Sequence, residues 1–198
     1  MGQRRDAHAV VRLGPRIEKP LTVGITLPDL VERHSPNYST RHGVTPSLLV
    51  WHETAGAYKG AVDWLCNPAS QASAHLVVNE LGDEATQLVA LHDKAWHAAA
   101  FNSQSVGIEH ANITAKGYAT EHQLQVSARI FGWLCLHLSI PPRWSRHGQT
   151  PGITRHSDLG ALGGGHYNCG PGDHDWQRFL VMLHAELERG GFRKSWAL

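Results

Sequence analysis

The stretch "SLLVWHET", residues 47–54, decides the fold. Its compact apolar run reads as a buried strand that ends at His52, where a side chain is held stiffly and faces a loop. Further along, "KGAVDWLCNP" (59–68) sets apolar residues at helical spacing and is stopped by Asn67-Pro68, which predicts a short helix from about Gly60. "SAHLVVNE" (73–80) alternates and is β-branched, and "EATQLVAL" (84–91), beyond the Gly82-Asp83 turn, is its hairpin partner. "SVGIEHANI" (105–113) is another strand, with Val106, Ile108 and His110 on one face and Gly107, Glu109 and Ala111 on the other.

Two longer helices follow. In "TEHQLQVSARIFGWLCLHLSI" (120–140) Thr120 caps the start and Gln123 completes a capping box, while Leu124, Ile130, Phe131, Leu134, Cys135 and Leu138 form an apolar stripe. Pro141-Pro142 ends it. The last helix runs from about Asp173 to Glu188, with acidic residues at its positive end and Gly190 past its finish. Strands interleaved with helices predict an α/β fold, a central mixed sheet flanked by helices. Residues 1–45 hold Pro15, Pro20, Pro28 and Pro36 and no long period, so they read as an irregular arm with a short helix near Pro28–His34. Residues 46–198 are expected to form one domain.

Bulk properties narrow the function. The formal charge is +1 and charged residues make up 18% of the 198 residues, which speaks against a nucleic-acid track or a membrane-surface patch. The N-terminal segment has basic residues but no apolar core behind them, so no secretory signal is expected, and no apolar run approaches membrane-spanning length. Cys66, Cys135 and Cys169 are an odd, widely spaced set, fitting a reduced compartment better than a disulfide framework. Fifteen histidines are a heavy load of the commonest metal ligand.

The chemistry concentrates in "RHSDLGALGGGHYNCGPGD" (155–173), a glycine-rich loop with two histidines, His156 and His166, one cysteine, Cys169, and two aspartates, Asp158 and Asp173. A lone histidine such as His52 is more often a satisfied core residue. His156 and Cys169 on one loop, joined to His52 from a distant strand, match the way a partly open metal site is assembled. Those three leave room for water, whereas His166 as a fourth ligand would close the site. Glu109, between small residues on its strand, reads either as a surface charge or as the proton carrier that metal-assisted hydrolysis needs. Asp158 reads as a loop brace, and Cys66 and Cys135 as core cysteines.

Together "LLVWHETAG", "QASAHLVVNE", "AWHAAAFNSQSVGIEHAN" and "RHSDLGALGGGHYNCGPGDHDW" resemble the type-2 zinc-dependent N-acetylmuramoyl-L-alanine amidases, a family that includes phage endolysins and is related to peptidoglycan recognition proteins. The resemblance covers about Pro46 to Leu187. It implies one zinc ion on His52, His156 and Cys169, with Asp173 the fallback third ligand, and Glu109 as catalytic acid/base. It places Trp96, His97 and Asn102, with Ser73 and His75, along the substrate cleft. Family members commonly carry a lysine two residues before the third ligand; here that residue is Tyr167, and His166, three before, takes the role of oxyanion donor. The implied substrate is peptidoglycan, as a muramyl peptide, cut between N-acetylmuramic acid and L-alanine. The flavour of the loop suggests a monomeric phage lysin module that waits in the host cytoplasm and then acts on the wall. A non-catalytic recognition module and a cytosolic wall-fragment recycling amidase are the alternatives.

Overall fold

The computed structural model describes residues 29–111 and 119–190. In chain order its strands are β1 (Asp29–Glu32), β2 (Tyr38–Thr40), β3 (Leu48–Glu53), β4 (Leu76–Val78), β5 (Glu84–Gln87), β6 (Asp93–Ala95), β7 (Ser105–His110) and β8 (Gly152–Arg155). The helices are α1 (Tyr58–Leu65), α2 (Glu121–Leu138) and α3 (Asp173–Arg189). Six strands form one mixed sheet in the order β1-β5-β4-β7-β3-β8, and β2 pairs with β6 in a small antiparallel ribbon. β4 and β5 form the expected antiparallel hairpin, whereas β4, β7, β3 and β8 run parallel to one another.

The 47–54 run forms β3, flanked by β7 and β8, and both its faces are covered. Leu49 and Trp51 point into the larger core with Val106, Ile108 and Ile153, under Leu124, Phe131 and Leu134 of α2 and Trp176, Phe179 and Leu183 of α3. Leu48 and Val50 point the other way and meet Ala98, Phe101 and Leu159. A third cluster packs Val62 and Leu65 of α1 on Val77 and Leu88. Strand alternation therefore sends His52 and Glu109 away from the two long helices, towards the thinner layer. The polar face predicted for β7 is the face that opens.

Local signals hold at the helix ends. The Thr120 hydroxyl accepts from the Gln123 amide at 3.1 Å, and the Gln123 side chain accepts from the Thr120 amide at 3.2 Å, a complete capping box. α3 begins at Asp173 with Gly172 before it, and Gly190 follows its end. One local reading is overturned. Residues 29–32, expected to be helical, form β1, parallel to β5 from Asp29↔Glu84 to Glu32↔Gln87, because the open edge of β5 supplies a partner that outweighs local preference. Residues 29–45 are not irregular throughout, since β2 also lies there; residues 1–28, the rest of the expected arm, lie outside the described residues. Among the described residues no helix is long and apolar enough to cross a membrane.

Candidate active site

Three neighbouring parallel strands deliver the chemistry at their carboxyl ends, where open α/β sheets commonly place ligands. The register pairs His52 of β3 with Glu109 of β7, and Trp51 with Arg155 of β8, so His156 emerges from β8 just beside His52. Cys169 arrives from the glycine-rich loop. Its carbonyl accepts from the Ser157 amide at 2.8 Å, and its Sγ lies 3.4 Å from the Glu53 amide and 3.7 Å from His52 Nδ1. One ligand atom each from His52, His156 and Cys169 lies within 4.8 Å of the others, an arrangement that could hold a metal ion.

The turn directly after Cys169 requires a glycine. Gly170 has φ +140°, and a Cβ there would lie 2.9 Å from Arg155 Cβ, so no larger residue follows Cys169 without displacing it. Arg155 anchors the same turn. Its guanidinium donates to Asp158 at 2.9 and 3.1 Å, to the Pro171 carbonyl at 3.1 Å and to Asp173 at 2.7 Å. Asp158 also accepts from Trp144 Nε1 at 3.0 Å, which makes it the loop brace the sequence suggested. Asp173, the fallback ligand, is drawn outward instead: its side chain is 87% exposed, paired with Arg155 at the start of α3 and outside the donor group.

Burial sets the protonation states. Desolvation holds His52 well below the ordinary imidazole range, with repulsion from His156 and His97 adding to it. Burial lifts the Glu109 carboxyl to about 8, helped by the nearby Glu53 charge. The 4.0 Å His52–Glu109 contact is therefore a meeting of neutral groups near pH 7 and not an ion pair. Burial and the Glu109 charge raise the Cys169 thiol to about 12. A divalent cation among these groups would reverse each of those preferences for the thiol and carboxyl, because it favours their anions.

A cleft of about 440 Å³ spans the site, with Glu53, Trp96, His97, Asn102, Glu109 and His166 along its walls. His166 stands on the exposed rim with its ring stacked 4.8 Å from that of His156. Of the residues expected to contact substrate, Trp96 fits that place best, half-buried with Nε1 3.2 Å from Ser39 Oγ. Ser73 and Asn102 touch the cleft but work inward: Ser73 Oγ donates to the Asn37 carbonyl and accepts from the Trp96 amide, and Asn102 Oδ1 accepts from the amides of His97 and Ala98. His75 is a correction. It is wholly buried behind the wall, its Nδ1 accepting from the Gly107 amide at 3.0 Å, so no substrate can reach it.

Sequence reading missed Arg41, which lies in the supposed arm. Only 5% exposed, its guanidinium donates to the carbonyls of Leu91, Asn102, Ser103 and Ser105, tying the cleft wall to β7. Burial lowers its pKa to about 10. Glu53, one residue past His52 on β3, was also missed, because its influence on Glu109 comes from the pairing of β3 with β7. Nothing local in the sequence marks Arg41, whose side-chain partners lie 34 to 64 residues away.

Solved structures share this architecture. The chain is similar to the Staphylococcus aureus hydrolase AmiA, with a TM-score of 0.65 and 17% identity over 86% of this chain and 89% of that one. It is also similar to a derivative of AmpD, with a TM-score of 0.55 and 22% identity over 83% and 99%. A curated relative, N-acetylmuramoyl-L-alanine amidase A of Achromobacter lyticus, is 28% identical over 159 residues, 76% of this chain and 89% of the relative. The family model described as N-acetylmuramoyl-L-alanine amidase matches residues 42–171, a span that begins just after Arg41 and contains every donor above. The chain thus belongs to the N-acetylmuramoyl-L-alanine amidase family and is an amidase of peptidoglycan.

Proposed function

We propose that this amidase is zinc-dependent, with the ion held by His52, His156 and Cys169. The donor group carries the reading, since two imidazoles and one thiol are the ligand types zinc takes, and three of them leave a further position open. His156 shows the fit most directly. Its Nε2 lies 2.7 Å from the Gly163 carbonyl, while its Nδ1 is buried without a protein partner. Metal-ligating histidines commonly have one nitrogen fixed in this way, leaving a lone pair on the other.

His52, His156 and Cys169 would hold the ion, and the chemistry it would supply there is Lewis acidity towards the scissile carbonyl and water. Glu109 takes the proton of the attacking water and returns it to the departing amide nitrogen. Its Oε2 is buried without a protein partner, and a cation beside it would favour the carboxylate that accepts the first proton. His166, exposed at the rim, donates an N–H to the carbonyl oxygen as that atom gains charge. Trp96 packs against the sugar or the peptide stem.

A closed four-ligand site is disfavoured because His166 stacks on His156 and stands outside the donor group. A recognition module that binds without cutting is disfavoured by the third donor, Cys169. We read the chain further as a monomeric catalytic module of a phage endolysin, held in the host cytoplasm until it reaches the wall. The fold likeness to an endolysin amidase from Clostridium intestinale, with a TM-score of 0.58 and 15% identity, supports that setting.

Glu109→Gln is the test. The variant is expected to keep stoichiometric zinc and to release alanine amino termini from purified peptidoglycan about 10²–10⁴-fold more slowly than wild type. Release at the wild-type rate would remove Glu109 from the mechanism. Comparison of intact sacculi with soluble muropeptides separates the settings, because a lysin cuts both and a recycling enzyme cuts the fragments alone.

A further inference from the structure

His97 was expected to touch substrate, yet both of its ring nitrogens are occupied within the protein. Nδ1 lies 2.9 Å from His52 Nε2, and Nε2 lies 3.2 Å from Ser105 Oγ. The direction of these contacts follows from their far end. Ser105 Oγ is 2.7 Å from the Phe101 carbonyl, which can only accept, so the hydroxyl proton goes there. The hydroxyl oxygen is left to accept from His97 Nε2–H. A neutral ring protonated at Nε2 carries its lone pair at Nδ1, and that lone pair must accept from His52 Nε2–H. His52 is thereby left with its lone pair on Nδ1, the atom that lies 3.7 Å from Cys169 Sγ.

We propose that His97 is a positioning residue that selects the metal-binding tautomer of His52, through a chain running from the Phe101 carbonyl by way of Ser105. The proposal rests on the zinc reading given above and concerns a residue that touches neither metal nor reacting atoms.

Two further features of the fold serve this chain. Gly107, beside Val50 in the register, has no side chain because the His97 ring lies on its backbone: a Cβ there would sit 2.6 Å from His97 Nδ1 and 2.7 Å from Cγ. The glycine preceding Ile108 and Glu109 is therefore a seat for the ring. Arg41 holds the Asn102, Ser103 and Ser105 carbonyls, which fixes the segment that carries Phe101 and Ser105, the far end of the relay. His52 and His97 meet at 80° between ring planes, an angle suited to an in-plane N–H aimed at a lone pair.

The experiment measures zinc affinity by chelator competition at fixed pH, together with histidine ¹⁵N spectra of the metal-free protein. Wild type is expected to show His52 protonated at Nε2 alone. His97→Leu should show a mixture of His52 tautomers and a zinc affinity lower by about 10–100-fold, the range for loss of an outer partner to a metal ligand. His97→Asn, which keeps an acceptor near the Nδ1 position, should recover most of that loss. Gly107→Ala should reproduce it by lifting the ring, and Ser105→Ala should show a smaller effect with the fold intact. Unchanged tautomer and affinity in both His97→Leu and Gly107→Ala would overturn the proposal while leaving the zinc centre standing. Failure of wild type to bind zinc would overturn the zinc reading, and the proposal with it.

Discussion

Cys169 Sγ sits against the amide of Glu53 and 3.7 Å from His52 Nδ1, while Asp173, four residues on, is pulled outward by Arg155. The two residues the sequence left in competition for one role are thus separated by a guanidinium. Cys169→Ser replaces a soft anionic donor with a hydroxyl that stays protonated near neutrality, so zinc retention during dialysis should fall by more than the ~100-fold loss expected for an outer partner. Asp173→Asn removes an exposed ion pair worth about 0–1 kcal/mol and should leave zinc content unchanged. Elemental analysis of both variants checks this, and loss of metal from the asparagine variant alone would reverse the assignment. The donors were legible because His, His and Cys near glycines have few other uses. Ser105 and Gly107 were not, because a serine or a glycine acquires its meaning only from the ring that comes to rest beside it.

At the scale of elements, what could be read depended on how far away each partner lies. The capping box of α2 is written within four residues, and the structure repeats it bond for bond. Thr120→Ala removes one half of that box and should cost about 1 kcal/mol in urea denaturation with an unchanged slope. A destabilisation near zero would mean that Ala119, whose amide donates to Asp175 of α3 at 2.9 Å, anchors the helix start without help. β1 and β2 were not legible for the opposite reason. Each has three or four residues, and their strand partners begin more than fifty positions away, at Glu84 and Asp93. Arg41 follows β2 directly, so the misreading of that segment also hid the guanidinium that secures the cleft wall.

For the whole molecule, the burial of titratable groups sets how stability responds to acid. His75 and His110 are fully buried, and desolvation holds His75 well below the ordinary imidazole range and His110 at about 3. His110 stacks on Trp51 at 3.6 Å between ring centroids, and its Nδ1 lies 3.0 Å from the His52 carbonyl. Above pH 6.5 both are neutral in folded and unfolded chains alike and contribute no pH dependence. Below it the unfolded chain takes up two protons that the folded chain refuses, so stability falls with pH, by about 1.4 kcal/mol per unit for each ring. Glu109 acts in the opposite sense: its folded pKa of about 8 means the folded chain holds a proton that the unfolded chain has released, down to about pH 4.5. These two imidazoles against one carboxyl leave a net uptake on unfolding that grows from near zero at pH 6.5 to about one proton at pH 5, and His52 and His97, also depressed by burial, add to it. The metal-free protein should therefore lose stability with a slope that steepens as the pH falls, reaching at least about 1.4 kcal/mol per pH unit near pH 5. Urea denaturation at half-unit steps measures the slope, and a flat or rising stability towards pH 5 would show that one of these rings is charged in the native state. Added zinc should raise the stability at pH 7.5 and lose its effect as the pH falls, since protons then compete with the metal for the imidazole and thiolate ligands.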